Sequence, residues 1–328
     1  MITNSACPKS LSLQEIQEAT AEDPHLEKAK EALNQHQWRA VLNNINTLTP
    51  IDQNVRQQLW RVREELSASS CGLILRGQQI VIPQKLWKKV ISLAHQGHQG
   101  IAKTKARLRQ KVWFAGMDKM AEEEVRSCHA CAITGEEPPS APVITGTAYT
   151  SPWTHISMDF GSFTDGRLTG VLIDSYSKFP VVELIESAAF KHVRKVLDKT
   201  FALLGCPQEV KTDNDPLFQG QEFNAYLSDL GILHRKITPQ WPQANWEVER
   251  FMRTLNRILR IGVDQSEDPE CCLHQVLRAY RQTPHRKTGC APSDALMKRD
   301  LRDVIPAGPT WQPAEVDSQA TQQKRQQT

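Results

Sequence analysis

From residue 153 to 305 the apolar positions switch between a period of two and a period of three to four. In HISMDFGSF (155–163), Ile156, Met158 and Phe160 alternate with Ser157 and Asp159, which predicts a strand. LTGVLIDSYS (168–177) and PVVELIE (180–186) predict a second and a third. Helical periodicity follows over 188–204, a short strand at EVKTD (209–213), a helix over 222–230 and a strand at LHRKI (233–237). A long helix over 243–263 and another over 270–283 complete the run. Three successive strands followed by alternating helices and strands predict an α/β domain, a mixed sheet with helices on both faces.

The upstream pattern is different. Two stretches, 11–35 and 51–65, look helical but have sparse apolar positions, so they should form small helices that pack weakly by themselves. CGLILRGQQIVIP (71–83) reads as two short strands around Arg76-Gly77. Between 85 and 126 the apolar residues Val90, Ile91, Leu93, Leu108, Met117, Ala121 and Val125 mark three short helices, a bundle small enough to need a staple. GEEPPSAPVITGTAYTSP (135–152) has linker composition. The expected organisation is a polar helical N-terminal extension (1–69), a small helical domain (70–134), a linker (135–152), the α/β core (153–305) and a Gln-rich disordered tail (306–328).

Composition narrows the function classes. The formal charge of +3 is an average over unlike segments: residues 1–69 hold seven Lys/Arg against nine Asp/Glu, residues 85–126 a net +6 and residues 278–302 a net +5. The basic segments point to phosphate, because Lys and Arg release counterions from nucleic acid. Eight irregularly spaced cysteines argue against a secreted disulfide scaffold. No apolar run approaches the roughly 20 residues that span a bilayer, and no signal peptide is apparent, so we expect a soluble intracellular protein without a membrane partner.

Two constellations carry chemistry. His95-x-x-His98 and Cys128-x-x-Cys131 stand 29 residues apart, at the two ends of the basic bundle. Two His and two Cys can close a tetrahedral structural zinc site and supply the missing staple. The alternative is two surface His and two buried Cys. His129 lies between the cysteines and is a competing ligand.

The second constellation is acidic. Asp159 lies in the first strand of the core, Asp213 ends the strand EVKTD, and Glu249 lies on the long helix. On that helix Val248, Met252, Leu255 and Leu259 form an apolar stripe, while Asn245, Glu249, Arg253, Asn256 and Arg260 form a polar one. The polar stripe presents one carboxylate to a site and basic or amide groups to a phosphate backbone; an ordinary solvated face is the alternative. Three carboxylates suit two Mg²⁺ or Mn²⁺ ions, which prefer oxygen ligands and support phosphodiester chemistry. Lys103, Lys105 and Arg107, near Trp113, are a second candidate for phosphate contact, again against a solvated helix face.

With these residues in view, HQGHQGIAKTKARL, VWFAGMDK and CHAC resemble the His-His-Cys-Cys domain of integrases from gypsy-class long-terminal-repeat retrotransposons, of the retroviral integrase type. MDF, KTDNDPLF and TPQWPQANWEVERFMRTLNR resemble that family's three catalytic segments. The spacings agree: 53 residues separate Asp159 from Asp213, and 35 separate Asp213 from Glu249. The resemblance implies a ribonuclease-H-like core, Asp159, Asp213 and Glu249 as catalytic acids holding two divalent ions, and His95, His98, Cys128 and Cys131 as zinc ligands. It also implies DNA as partner, 3′-end processing and strand transfer in DNA integration, a homo-oligomer and a nuclear location. Three departures stand out. Asp215 replaces the usual glycine after Asp-Asn, Trp246 replaces a second glycine, and only 22 residues follow Pro306, too few for the family's C-terminal domain. They raise the alternative of a host-adopted, catalytically silent module that binds nucleic acid or protein.

Overall fold

The computed structural model describes residues 10–43, 45–134, 149–163, 166–237, 246–264, 268–299 and 301–309. They divide into two compact units, one containing residues 10–133 with 301–309, the other containing residues 134–299.

The first unit opens with α1 (Leu13–Glu22), α2 (Pro24–Gln35) and α3 (Pro50–Arg61). The pattern over 11–35 reads as one helix, yet the chain breaks it at Asp23. Its carboxylate accepts from the amides of His25 and Leu26, and Pro24 takes the first helical position, where its missing N–H costs nothing. A four-stranded sheet follows in order, made of β1 (Leu66–Ala68), β2 (Ile74–Arg76), β3 (Gln79–Val81) and β4 (Val112–Trp113). Gly77, with φ +56, makes the β2–β3 turn. The helices α4 (Trp87–His95), α5 (Ile101–Lys111), α6 (Met117–Ser127) and α7 (His129–Thr134) complete the unit.

Two domain boundaries need correction. Residues 1–69 were set apart as a weakly packed extension, but Ile16, Leu26, Ala29 and Leu59 are buried in the same cluster as Leu73, Ile80, Val90, Leu93 and Leu108. The sparse apolar stripes of α1 to α3 suffice because each covers part of a core built mainly by β2, β3 and α4. Residues 301–305 were assigned to the α/β core, but they belong to the first unit. Ile305 is fully buried in its cluster, and the amide of Leu11 donates to the carbonyl of Val304 at 3.0 Å. Of the expected tail, residues 310–328 lie outside the described residues, as do 135–148 of the expected linker.

The second unit contains β5 (His155–Ser162), β6 (Leu168–Asp174), β7 (Pro180–Ile185), α8 (Phe190–Leu204) and β8 (Glu209–Thr212). It continues with α9 (Pro216–Gln219), α10 (Gln221–Asp229), β9 (Leu233–Lys236), α11 (Trp246–Asp264), α12 (Pro269–Arg281) and α13 (Pro292–Met297). The sheet order is β7-β6-β5-β8-β9: an antiparallel meander of the first three strands, with β8 and β9 added parallel beside β5. This is the ribonuclease-H-like arrangement. One sheet face packs Ile156, Met158 and Leu172 against α8 and α10 through Val193, Leu197, Phe201, Phe223 and Leu227. The other packs Phe163, Val171 and Ile173 against Val248, Met252, Leu255 and Leu259 of α11, with Leu273 and Val276 of α12 behind. Each such fully buried side chain contributes roughly 1.5–3 kcal/mol.

Candidate functional site

The His/Cys constellation forms a single cluster. Helix α4 ends at His95, and Gly97 and His98 then take left-handed backbone, with φ +81 and +46. That turn folds back far enough for the His98 amide to donate to the His95 carbonyl at 2.9 Å, and the two rings stand edge to face, 4.9 Å apart. The cysteines lie at the α6–α7 junction, where the amide of Ala132 donates to the carbonyl of Cys128. His95 Nε2 is 3.4 Å from Cys131 Sγ, and His98 Nδ1 is 3.4 Å from Cys131 Sγ and 3.5 Å from Cys128 Sγ. All four ligand atoms lie within 4.8 Å of one another. Zn–N and Zn–S bonds of about 2.0–2.3 Å at tetrahedral angles require ligand separations of roughly 3.3–3.8 Å, so the set fits zinc. The Cys128 thiol is held far below its usual range, chiefly by the Cys131 thiol and also by both imidazoles, as a thiolate ligand requires. His129 is exposed and stays outside the group.

The acids meet at the second unit's sheet. In the parallel β5–β8 pair, Ser157 faces Lys211 and Met158 faces Thr212. Side chains alternate along a strand, so one step further Asp159 and Asp213 share a face. Gly161 lies on that face too. A Cβ built there would overlap the terminal methyl of Met252, so α11 covers the strand closely at this point. Glu249 stands three residues before Met252, almost one turn earlier, near enough for its charge to act on Asp159. Burial pushes the Asp159 carboxyl up to about 6; the charges of Asp213, Glu249 and Asp215 add to the rise, and the amide of Phe160 opposes it. Asp159 therefore feels the charges of the other three carboxylates. Among the described residues, however, only the His/Cys set closes to metal-ligand distance. The donors are all carboxylate oxygens, and three further negative charges act on Asp159, which fits divalent cations of the Mg²⁺ kind.

The departures at the glycine positions are accommodated. Asp215 is extended (φ −56, ψ 138) and caps α9. Trp246 begins α11, so its backbone is helical, a conformation that needs no glycine. Sequence reasoning missed the support behind Asp213. The Asn214 side chain donates to the carbonyl of Ile237 at 3.0 Å. His234, its pKa lowered by burial, lies 2.9 Å from Thr212 Oγ1.

The phosphate candidates divide. Arg107 is a correction: it is buried, forks onto both oxygens of Asp303 and also donates to the carbonyls of Leu93 and Ala94. Its helix face turns inward because Leu108 and Thr104 belong to the core side. Lys105 pairs with Glu122 at 2.8 Å, and Lys103 is half-buried. On α11, Arg253 and Arg260 are exposed, about one and three turns after Glu249, and Asn256 is half-buried; Asn245 lies outside the described residues.

Residues 82–136 match the model of the integrase zinc binding domain, and residues 149–242 match that of the integrase core domain. These two segments are an integrase zinc-binding domain and an integrase core domain. It is similar to an uncharacterized protein of Caenorhabditis elegans, 27% identical over 298 residues that make up 89% of this chain and 23% of that protein. It is also similar to the Transposon Tf2-3 polyprotein of Schizosaccharomyces pombe, 27% identical over 215 residues, 61% of this chain and 16% of the polyprotein. The chain thus spans about a quarter or less of the length of these relatives. Among solved structures it resembles the catalytic core domain of BIV integrase (TM-score 0.39, 19% identical, 44% of this chain and 95% of that one). It also resembles a chain of the simian T-cell lymphotropic virus intasome (TM-score 0.47, 20% identical, 70% of this chain and 77% of that one).

Proposed function

We propose that this chain is a DNA-directed polynucleotidyl transferase of the retrotransposon type, gypsy class, with Asp159, Asp213 and Glu249 as its catalytic acids. The observation that carries the reading is the convergence of these acids on the α11 face of the sheet, with Asp159 pushed up to about 6. Bound between them, two divalent ions would supply Lewis-acid activation of the attacking hydroxyl and stabilisation of the leaving oxygen. The chain's own part is to hold three carboxylates in register: Asp159 through the β5–β8 pairing, Asp213 through the turn capped by Asp215, and Glu249 through the packing of α11 on Gly161. Arg253 and Arg260, exposed on the stripe that carries Glu249, offer charge to a phosphodiester backbone. His95, His98, Cys128 and Cys131 hold a closed, structural zinc that takes no part in the chemistry. DNA as substrate, a homo-oligomer as the working form and the nucleus as location belong to this reading.

The experiment is a strand-transfer assay with short element-end duplexes and Mg²⁺ or Mn²⁺, run beside Glu249→Gln. Product from the wild-type chain alone supports the reading. Product no higher than that of the Glu249→Gln control overturns it.

A further inference from the structure

Two residues before Glu249 on the same helix turn, Glu247 is gripped by two lysines from distant parts of the fold. Lys178 Nζ donates to its Oε2 and Lys287 Nζ to its Oε1, each at 2.6 Å. Lys178 comes from the β6–β7 turn and Lys287 from the loop between α12 and α13. A residue two positions along a helix is rotated by roughly 200°, so the grip lies on the side of α11 opposite Glu249.

The Lys178 end is rigid. Its side chain is buried and also donates to the carbonyl of Ser175 at 2.6 Å. Its backbone takes φ +65, a left-handed conformation that suits glycine or asparagine better. That conformation is held from both sides. The Lys178 amide donates to the carbonyl of Asp174, and the fully buried Asp174 carboxylate accepts from the amides of Trp153 and Ser177 and from the Ser177 hydroxyl. A lysine kept in strained backbone, with its ammonium committed to one carboxylate, is the kind of outlier that marks a functional constraint.

We propose that Glu247 is a positioning residue for Glu249: the two-lysine grip fixes the rotation of the first turn of α11 and with it the reach of Glu249 towards Asp159. The inference rests on the reading of the three acids as a divalent-ion site. Lys178, Glu247 and Lys287 touch no substrate in it; they act through the helix.

The test measures Mn²⁺ affinity of the zinc-loaded full chain by titration calorimetry, with melting temperature and strand transfer alongside. Changes to groups that orient metal ligands typically weaken metal affinity by about 10–100-fold. Glu247→Gln should therefore weaken Mn²⁺ binding by about 10-fold and lower kcat, while KM for DNA stays near the wild-type value. Lys287→Met, at the more exposed end of the grip, should shift both in the same direction by less. Glu247→Gln that folds and keeps wild-type Mn²⁺ affinity overturns the inference; if that variant does not fold, wild-type affinity in Lys287→Met overturns it. Mn²⁺ binding indifferent to Glu249→Gln would instead remove the metal-site reading itself, and the positioning role with it.

Discussion

The backbone amide of Asp215 donates to Oδ1 of Asp213 at 3.0 Å, and Oδ1 of Asp215 accepts in turn from the amide of Leu217 at 2.9 Å. The aspartate that replaces the family's glycine is thus the N-cap of a short helix, in a conformation any residue can adopt. What it changes is charge. Asp215→Asn keeps the cap and removes the fourth carboxylate, so the midpoint of Asp159 should fall below about 6. An NMR pH titration of the Asp159 carboxyl checks this, and an unmoved midpoint would contradict it. Asp215→Gly should lower the midpoint too, and cost in addition a few tenths of a kcal/mol, roughly the difference between Asp and Gly as caps.

Asp159 also makes stability depend on pH. Its folded-state pKa of about 6 lies above the ordinary 3.8, so between these values the folded chain holds a proton that the unfolded chain has lost. The stabilisation is fully present below 3.8 and is lost as pH rises through 6. Without added Mg²⁺ or Mn²⁺, Asp159→Asn should therefore melt higher than wild type at pH 7 and nearly level with it at pH 4. A lower melting temperature at pH 7 would show that the charge is already compensated in the fold.

Arg107 and Asp303 form an ion pair whose side chains are 3% and 4% exposed. Removing one partner strands the other charge, at a typical cost of about 3–5 kcal/mol. Arg107→Met should destabilise the first unit by that order in urea titrations, and Arg107→Met combined with Asp303→Leu should recover most of the loss. The salt dependence of DNA binding should be the same in the double variant as in wild type, because the guanidinium faces a carboxylate. A flatter salt slope would restore Arg107 to the phosphate contacts.

Stripping zinc, with a chelator or by Cys128→Ser, should loosen the ends of α4 and α7 and lower the melting temperature of the first unit. It should not unfold the unit outright, because the core shared by α1 to α4, β2 and β3 remains. Far-UV circular dichroism decides: retained helical signal supports a shared core, whereas collapse to coil would mean that the metal carries the fold, as in small zinc domains.

Much of the site was legible in the sequence because its signals are local. A period of two marks β5 with Asp159 in it, a period of three to four marks α11 with Glu249 beside its apolar stripe, and HxxH and CxxC place ligand pairs three residues apart. The sheet order was not legible. Nor was the tightness at Gly161, where Met252 occupies the space of a missing side chain. Nor was the division of Cys271-Cys272: Cys272 is buried, with its Sγ 2.7 Å from where a Cβ on Gly262 would sit, and Cys271 is exposed.

The sequence by itself determined the types of most elements and marked the His/Cys set and the three acids as candidates, since each depends on residues within a few positions of one another or on a fixed spacing. Tertiary structure alone decided what the charged residues do. Arg107 meets a carboxylate 196 residues away, Lys178 meets Glu247 69 residues away, and Glu15 and Glu22 of α1 pair with Lys89 of α4 and with Lys85 in the turn before it. A basic run reads as a phosphate surface until its partners arrive. Whether a cation stays free for DNA is set by the long-range packing that buries or pairs it, because a buried charge must find its counter-charge within the fold.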